Sequence, residues 1–140
     1  MALNTYLNFN GNCAAAFAQY KEIFGGEYTT FMTFGDMPGE QPMSETDKAK
    51  IMHVSLGIDG GYLMGSDMPD SMPRATIGDN FSLSYSASSQ DEANRIFAAL
   101  SAGGKVNMPM QQTFWSPWFG MLVDRYGIQW MIAAEGQPEE

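Results

Sequence analysis

Leu3–Gly26, LNTYLNFNGNCAAAFAQYKEIFGG, and Phe81–Gly104, FSLSYSASSQDEANRIFAALSAGG, carry one reading twice. In the first, Leu3, Thr5, Leu7 and Phe9 alternate with Asn4, Tyr6, Asn8 and Asn10, the period-2 pattern of a half-buried strand. A helix follows over about Asn12–Phe24, with Ala14, Phe17, Tyr20 and Phe24 at helical spacing. Gly25-Gly26 stops it. In the second, Phe81, Leu83 and Tyr85 alternate with Ser82, Ser84 and Ser86. Ser89 reads as a helix N-cap with acids in the turn that follows. That helix runs to about Ala102, carries Ala93, Ile96, Phe97 and Leu100 on one face, and ends at Gly103-Gly104. From Gly25 to Gly103 the offset is 78 positions, roughly half of the 140 residues.

The segments after each helix read as strands. In the first half they are Glu27–Phe34, Ile51–Ile58 and Tyr62–Ser66, with Gly60-Gly61 as the turn between the last two. In the second half they are Val106–Met108, Gly120–Asp124 and Ile128–Ala133, with the turn at Tyr126-Gly127. The expected fold is therefore α+β, built from two tandem βαβββ units, about 1–66 and about 79–135, within a single domain. Two long loops interrupt the pattern, Gly35–Asp47 and Asp67–Asn80. Loops of that length tend to be lids or binding segments. The second holds Met68, Pro69, Met72 and Pro73, and methionine adapts readily to irregular apolar partners.

Composition narrows the class. A hydrophobic fraction of 44% with 13% aromatics supports a packed globule rather than a disordered chain. No apolar run approaches the ~20 residues of a membrane span. MALNTYLNF lacks the basic start and apolar stretch of a signal peptide. The lone Cys13 has no partner for an intrachain disulfide, which fits a reducing cytoplasm. Sixteen acids against seven bases give a net charge of −9. The bases (Lys21, Lys48, Lys50, Arg74, Arg95, Lys105, Arg125) are scattered along the chain, so no basic face for nucleic acid is visible. The acidic end, Glu135–Glu140, reads as a frayed tail. A cytoplasmic protein with neither nucleic-acid nor membrane partners is expected.

Three stretches narrow the architecture further: Phe9–Glu27, Met64–Pro69 (MGSDMP), and above all Thr113–Ile132, TFWSPWFGMLVDRYGIQWMI. With these motifs the chain, from about Leu3 to Ala133, resembles the PhnB-like branch of the vicinal-oxygen-chelate superfamily, which also holds the glyoxalases, bleomycin-resistance proteins and dihydroxybiphenyl dioxygenases. The resemblance implies curved half-barrel sheets, a cupped small-molecule pocket and, in many members, a divalent metal and a homodimer.

If helices cover one face of each sheet, the residues of opposite parity line the pocket. These are Asn4, Tyr6 and Asn8 on the first strand, and Ile51, His53 and Ser55 on the third, with Met52, Val54 and Leu56 under the helices. In the second half they are Asn80, Ser82 and Ser84, then Gln129 and Met131, while Ile128, Trp130 and Ile132 are core. The resemblance places metal ligands near Asn4, His53, Asn80 and Met131, with Tyr6 and Gln129 as neighbouring options. Divalent-metal members use imidazoles and carboxylates, and His53 is the single histidine. Asparagine carbonyls bind weakly and a thioether suits soft Cu(I). No cofactor is expected, and any divalent ion would meet an incomplete set.

His53 has two readings. It is either a half-buried imidazole hydrogen-bonded to backbone or to Asn80, or a general acid, base or orienting donor in a metal-free pocket. Phe114, Trp115 and Trp118, with Ser116 and Pro117 among them, either wall a pocket for a planar or apolar ligand or cover a sheet end or subunit interface. Cys13 near a helix start reads as a packing residue rather than a nucleophile, lying on a different surface from His53. No Walker-type loop and no G-x-S-x-G elbow occurs. The methyltransferase label attached to the PhnB-like family finds no glycine-rich strand–turn–helix to support it. Two functions stay open: an enzyme acting on a small polar metabolite, or a non-catalytic protein that binds and sequesters a small molecule, as bleomycin-resistance proteins do.

Overall fold

The computed structural model describes residues 3–37 and 43–134. The chain divides into two compact units between Thr76 and Ile77. The first contains β1 (Thr5–Phe9), α1 (Cys13–Phe24), β2 (Glu27–Thr33), a 3₁₀ turn (Phe34–Asp36), α2 (Glu45–Ala49), β3 (Ile51–Ile58) and β4 (Gly61–Asp67). The second contains β5 (Leu83–Ala87), α3 (Gln90–Ser101), β6 (Lys105–Gln111), β7 (Trp118–Val123) and β8 (Gln129–Ala134). Their four-stranded sheets have matching orders, β1-β4-β3-β2 and β5-β8-β7-β6, and neither closes on itself. In each, the first strand runs parallel to the last while the other pairs are antiparallel. This is the α+β arrangement of two βαβββ units.

The double glycines do two jobs. Gly25 sits in the left-handed region at φ 75° and donates its N–H to Lys21 O at 2.7 Å, closing α1. Gly26 answers a different need: a β-carbon there would lie 1.9 Å from the Gly57 carbonyl oxygen on β3. In the second unit the left-handed Gly103, at φ 79°, follows the extended C-cap Ala102, and a β-carbon at Gly104 would fall 2.1 Å from Val123 O on β7. A left-handed residue ends the helix, and a side-chain-free residue lets the chain pass against the sheet.

Each helix buries one stripe on its own sheet. On α3 the buried residues are the expected Ala93, Ile96, Phe97 and Leu100, and Ser89 caps the start by accepting from the Glu92 N–H at 3.1 Å. On α1 they are Cys13, Ala16, Phe17, Tyr20 and Ile23. Ala14, expected in that stripe, is exposed because it lies roughly a third of a turn from the stripe's centre. The sheets supply Leu7, Phe9, Val54, Leu56 and Leu63 in one unit, and Leu122, Trp130 and Ile132 in the other.

Strand limits depart from the sequence pattern where no neighbour covers the chain. Leu3 is 102% and Phe81 is 56% exposed. Pairing begins only at Thr5↔Leu63 and Leu83↔Trp130, so both lie before their strands. The β3–β4 turn is Asp59-Gly60, not Gly60-Gly61. Both turn residues have positive φ, 47° and 84°, as a two-residue type I′ hairpin requires, and Gly61 already pairs with Ile58. The pairing Thr33↔Ile51 followed by Met32↔His53 leaves Met52 as an extra residue on β3. This bulge breaks the alternation. Ile51, expected on the concave side, is core at 1% exposure.

The first long loop is partly structured. It begins in the 3₁₀ turn and ends in α2, which the sequence pattern had not marked and which Ser44 caps by accepting from the Asp47 N–H at 3.1 Å. Residues 38–42 of it, like the acidic tail Glu135–Glu140, lie outside the described residues. The second loop is pinned at several points. Asn10 donates to Ala75 O at 2.9 Å and accepts from its N–H at 2.8 Å. Lys50 Nζ bridges Asp47 Oδ1 at 2.8 Å and Asp70 Oδ1 at 3.0 Å. The hydrogen bond from Lys50 holds the Asp47 carboxyl below its ordinary pKa, and the same contact raises the ammonium of Lys50.

Candidate functional site

Residues paired in register across a sheet share a face. In the first unit the row Tyr6–Met64–Ser55–Thr30 runs across all four strands on the side away from α1. Asn8 and Ser66 lie beside it, as do His53 and Met32. Ser55 is buried and Tyr6 is 42% exposed, so the row grades from interior to surface.

The polar centre of this face is Tyr6 with His53. Tyr6 Oη and His53 Nδ1 share a hydrogen bond at 3.2 Å. The rings stack, 5.7 Å between centroids at 17°. Tyr6 thus occupies the role foreseen for a backbone group or Asn80, and no other hydrogen bond to the His53 ring forms among the described residues. A phenol that donates to Nδ1 fixes the tautomer with its proton on Nε2. The bond orients one ring edge, as a general acid or base requires.

The other sequence candidates fall out by unit. Asn4 precedes β1 and is exposed. In the second unit Asn80 is exposed and Ser82 half-buried, both ahead of β5 rather than on it. Gln129 donates from Nε2 to Gly78 O at 3.2 Å. Met131 lies in the row Ser84–Met131–Met121–Met108 on the face away from α3. Trp115 meets Phe119 edge-on at 5.6 Å, and Phe119 alternates onto the face of Met121. Trp118 does not join them. It belongs to β7, on the helix-covered side with Leu122, and its Nε1 donates to Asn94 Oδ1 on α3 at 2.8 Å. Trp130 is core, as expected, with Nε1 donating to Asp124 Oδ2 at 3.0 Å.

Met64, Ser66, Thr30 and Met32 were not foreseen on the first face, nor Met121 and Met108 on the second. Their signal was present: Met64 and Ser66 alternate with Leu63, Gly65 and Asp67 through the MGSDMP stretch. Beside Asp47, two further carboxylates are buried. Asp67, 2% exposed, accepts from the N–H groups of Gly11 (2.8 Å), Cys13 (3.0 Å) and Ile51 (2.9 Å). Asp124, 3% exposed, accepts from Tyr126, Ile128 and Trp130 and closes the β7–β8 turn. Both organise backbone. Burial, with the Asp67 carboxylate beside it, pushes the Cys13 thiol far above its ordinary pKa, so it is a packing group.

A hard divalent metal does not fit the residues present. Of Asn4, His53, Asn80 and Met131, one is an imidazole and none is a carboxylate. Among the described residues no group of three or more His, Cys, Asp or Glu could hold an ion.

Two βαβββ units of this order make the glyoxalase-like fold, which a glyoxylase/bleomycin resistance protein/dioxygenase domain from Frankia sp. EAN1pec shares at TM-score 0.66 and 14% identity, over 97% and 98% of the chains. The chain belongs to the PhnB-like family: residues 1–133 match the family model described as 3-demethylubiquinone-9 3-methyltransferase. It is similar to Protein YjdN of Escherichia coli (strain K12), 34% identical over 141 positions and 94% of each chain. Among solved structures it resembles protein PA1353 from Pseudomonas aeruginosa (TM-score 0.86, 40% identity, 96% of this chain and 98% of that one). The PhnB protein from Bacillus cereus shares the fold at TM-score 0.77 and 22% identity, over 96% and 99% of the chains. So does the fosfomycin resistance protein FosX from Listeria monocytogenes, at 0.64 and 11%, over 97% and 94%.

Proposed function

We propose that this protein binds a small polar metabolite on its open sheet faces and acts on it without a metal, with His53 as the acid–base group and Tyr6 orienting it. The stacked, hydrogen-bonded Tyr6–His53 pair carries this reading. Asn8 and Ser55 supply neutral hydrogen-bonding groups on the same face. Asn4 is a further contact on the first unit; on the second unit's own sheet the candidate contacts are Asn80, Ser82, Gln129, Met131 and Trp115, and Trp118 is set aside for its bond to Asn94. The methyl transfer named in the family description is not adopted: the β1–α1 and β5–α3 turns hold one glycine, Gly11, between them. Pure sequestration is the second reading. It is favoured by the exposure of Phe114 (97%) and Trp115 (56%), which grip a ligand without doing chemistry.

His53→Gln is expected to weaken ligand binding or turnover at least tenfold while moving the melting temperature by no more than about 2 °C, since the half-buried ring fills no core position. Tyr6→Phe keeps the ring stack and loses the hydrogen bond, so it should retain binding and lose turnover. Calorimetric titration and thermal unfolding check both. Loss of stability without loss of binding would return His53 to a packing role.

The proposal extends to assembly and location. The two units make one glyoxalase-like domain in a cytoplasmic homodimer, with neither nucleic acid nor membrane as partner. No helix among the described residues is long and apolar enough to cross a membrane. Exposed Phe31, Tyr62, Ile77 and Val106 supply apolar surface that a partner would cover. Light scattering at micromolar concentration should give twice the 15.4 kDa chain mass, with an interface above ~2,000 Å². A monomer mass would remove the interface and leave Trp115 to the pocket.

A further inference from the structure

We propose that the open face of the first unit selects an uncharged ligand with a flat apolar body and a hydroxyl or carbonyl group, and rejects phosphonates, phosphates and carboxylates. The inference rests on the small-molecule reading above and narrows it.

Charge carries it. The first unit has four of the chain's Lys and Arg residues, and none is in the rows Tyr6–Met64–Ser55–Thr30, Asn8–Ser66 or His53–Met32. Lys21 sits over the Tyr28 ring at 5.9 Å, and Tyr28 pairs with the core residue Leu56. Lys48 pairs with Glu45 at 3.5 Å. Lys50 is held between Asp47 and Asp70. Arg74 is exposed beside Ala75, which is hydrogen-bonded to Asn10 past the end of β1, four residues from Tyr6. An anion laid across Tyr6, Met64 and Ser55 would lose its water and find no Lys or Arg in these rows, and burying an unpaired charge is strongly unfavourable. The chain's net charge of −9 repels anions further out.

The face offers ring surface and sulfur instead. Tyr6 and His53 lie nearly parallel, with Met64 paired beside Tyr6 and Met32 beside His53. Aromatic rings stack offset on one another, and thioethers pack against ring edges. The hydrogen-bonding groups on the face, Tyr6 Oη, the Ser55 hydroxyl and the Asn8 amide, are neutral donors and acceptors that match a hydroxyl or carbonyl.

Three probes sharing one ring test this: benzyl alcohol, benzylphosphonate and benzylamine, each titrated at pH 8 against the full-length protein. The single histidine makes its ring-proton NMR signal an unambiguous reporter. Benzyl alcohol should shift it saturably, at least tenfold more tightly than either charged probe, and Tyr6→Leu should abolish the shift. Equal or tighter binding of benzylphosphonate or benzylamine would overturn the charge assignment while leaving a ligand site in place. A resonance unmoved by all three would remove the site itself.

Discussion

Gly26→Ala is expected to destabilise the fold by about 3 kcal/mol, and Gly25→Ala, one residue earlier, by only about 1 kcal/mol. The two costs have different origins. At Gly25 a β-carbon meets no atom within 4 Å, so alanine suffers only the strain of a left-handed φ of 75°. At Gly26 it would lie 1.9 Å from Gly57 O and 3.0 Å from Gly57 C, both backbone atoms of β3. No side chain can swing aside, so the strand itself must shift. Gly104→Ala should behave like Gly26→Ala, because Val123 O would lie 2.1 Å from its β-carbon. Urea unfolding of the three variants checks the order. If Gly25→Ala proved the costlier of the neighbouring pair, the account of the double glycine would be wrong.

Asp67→Ala is expected to cost about 4 kcal/mol, the largest single effect foreseen here. It would leave the N–H groups of Gly11, Cys13 and Ile51 without their acceptor, each such loss being worth about 1–3 kcal/mol when buried. Asp67→Asn should cost about half as much. Its remaining oxygen can keep the Gly11 and Cys13 bonds, but its amide would face the Ile51 N–H donor to donor. Since a domain of this size is stable by only about 5–15 kcal/mol, the alanine variant should unfold well below the wild-type temperature. A change under about 1 kcal/mol in either variant would mean that Asp67 does not join β4 to the β1–α1 turn and to β3.

These two sites show what the sequence pattern carried and what it hid. Alternation of Leu7 and Phe9 against Tyr6 and Asn8 put the right side chains on each face of β1, and the spacing of Ala93, Ile96, Phe97 and Leu100 placed α3 correctly. Such patterns are legible because burial acts on every second or every third to fourth residue. The bulge at Met52 was not legible. It arises from pairing with β2, and it moved Ile51 from pocket to core. Asp67 and Asp124 read as ordinary surface acids because their N–H partners come together only in the folded chain. The second glycine of each pair read as part of a helix stop, although it is required by a strand distant in sequence.

The candidate site was half legible. His53 was singled out by its scarcity and its parity on β3, and Tyr6 by its parity on β1. That they touch follows from the order β1-β4-β3-β2, which separates their strands by one and lets long side chains meet across it. The same order brings Met64 into the row between Tyr6 and Ser55. Trp118 was misplaced because β7 begins earlier than its pattern indicates, which turns the indole toward α3.

The claim that the Tyr6–His53 face works without a metal is tested most directly by elemental analysis of the purified protein, joined to a ligand titration before and after dialysis against EDTA. Less than one equivalent of any divalent ion per chain and an unchanged dissociation constant after chelation are expected. A stoichiometric divalent ion bound at His53 with two further protein ligands, and lost together with ligand binding, would contradict it.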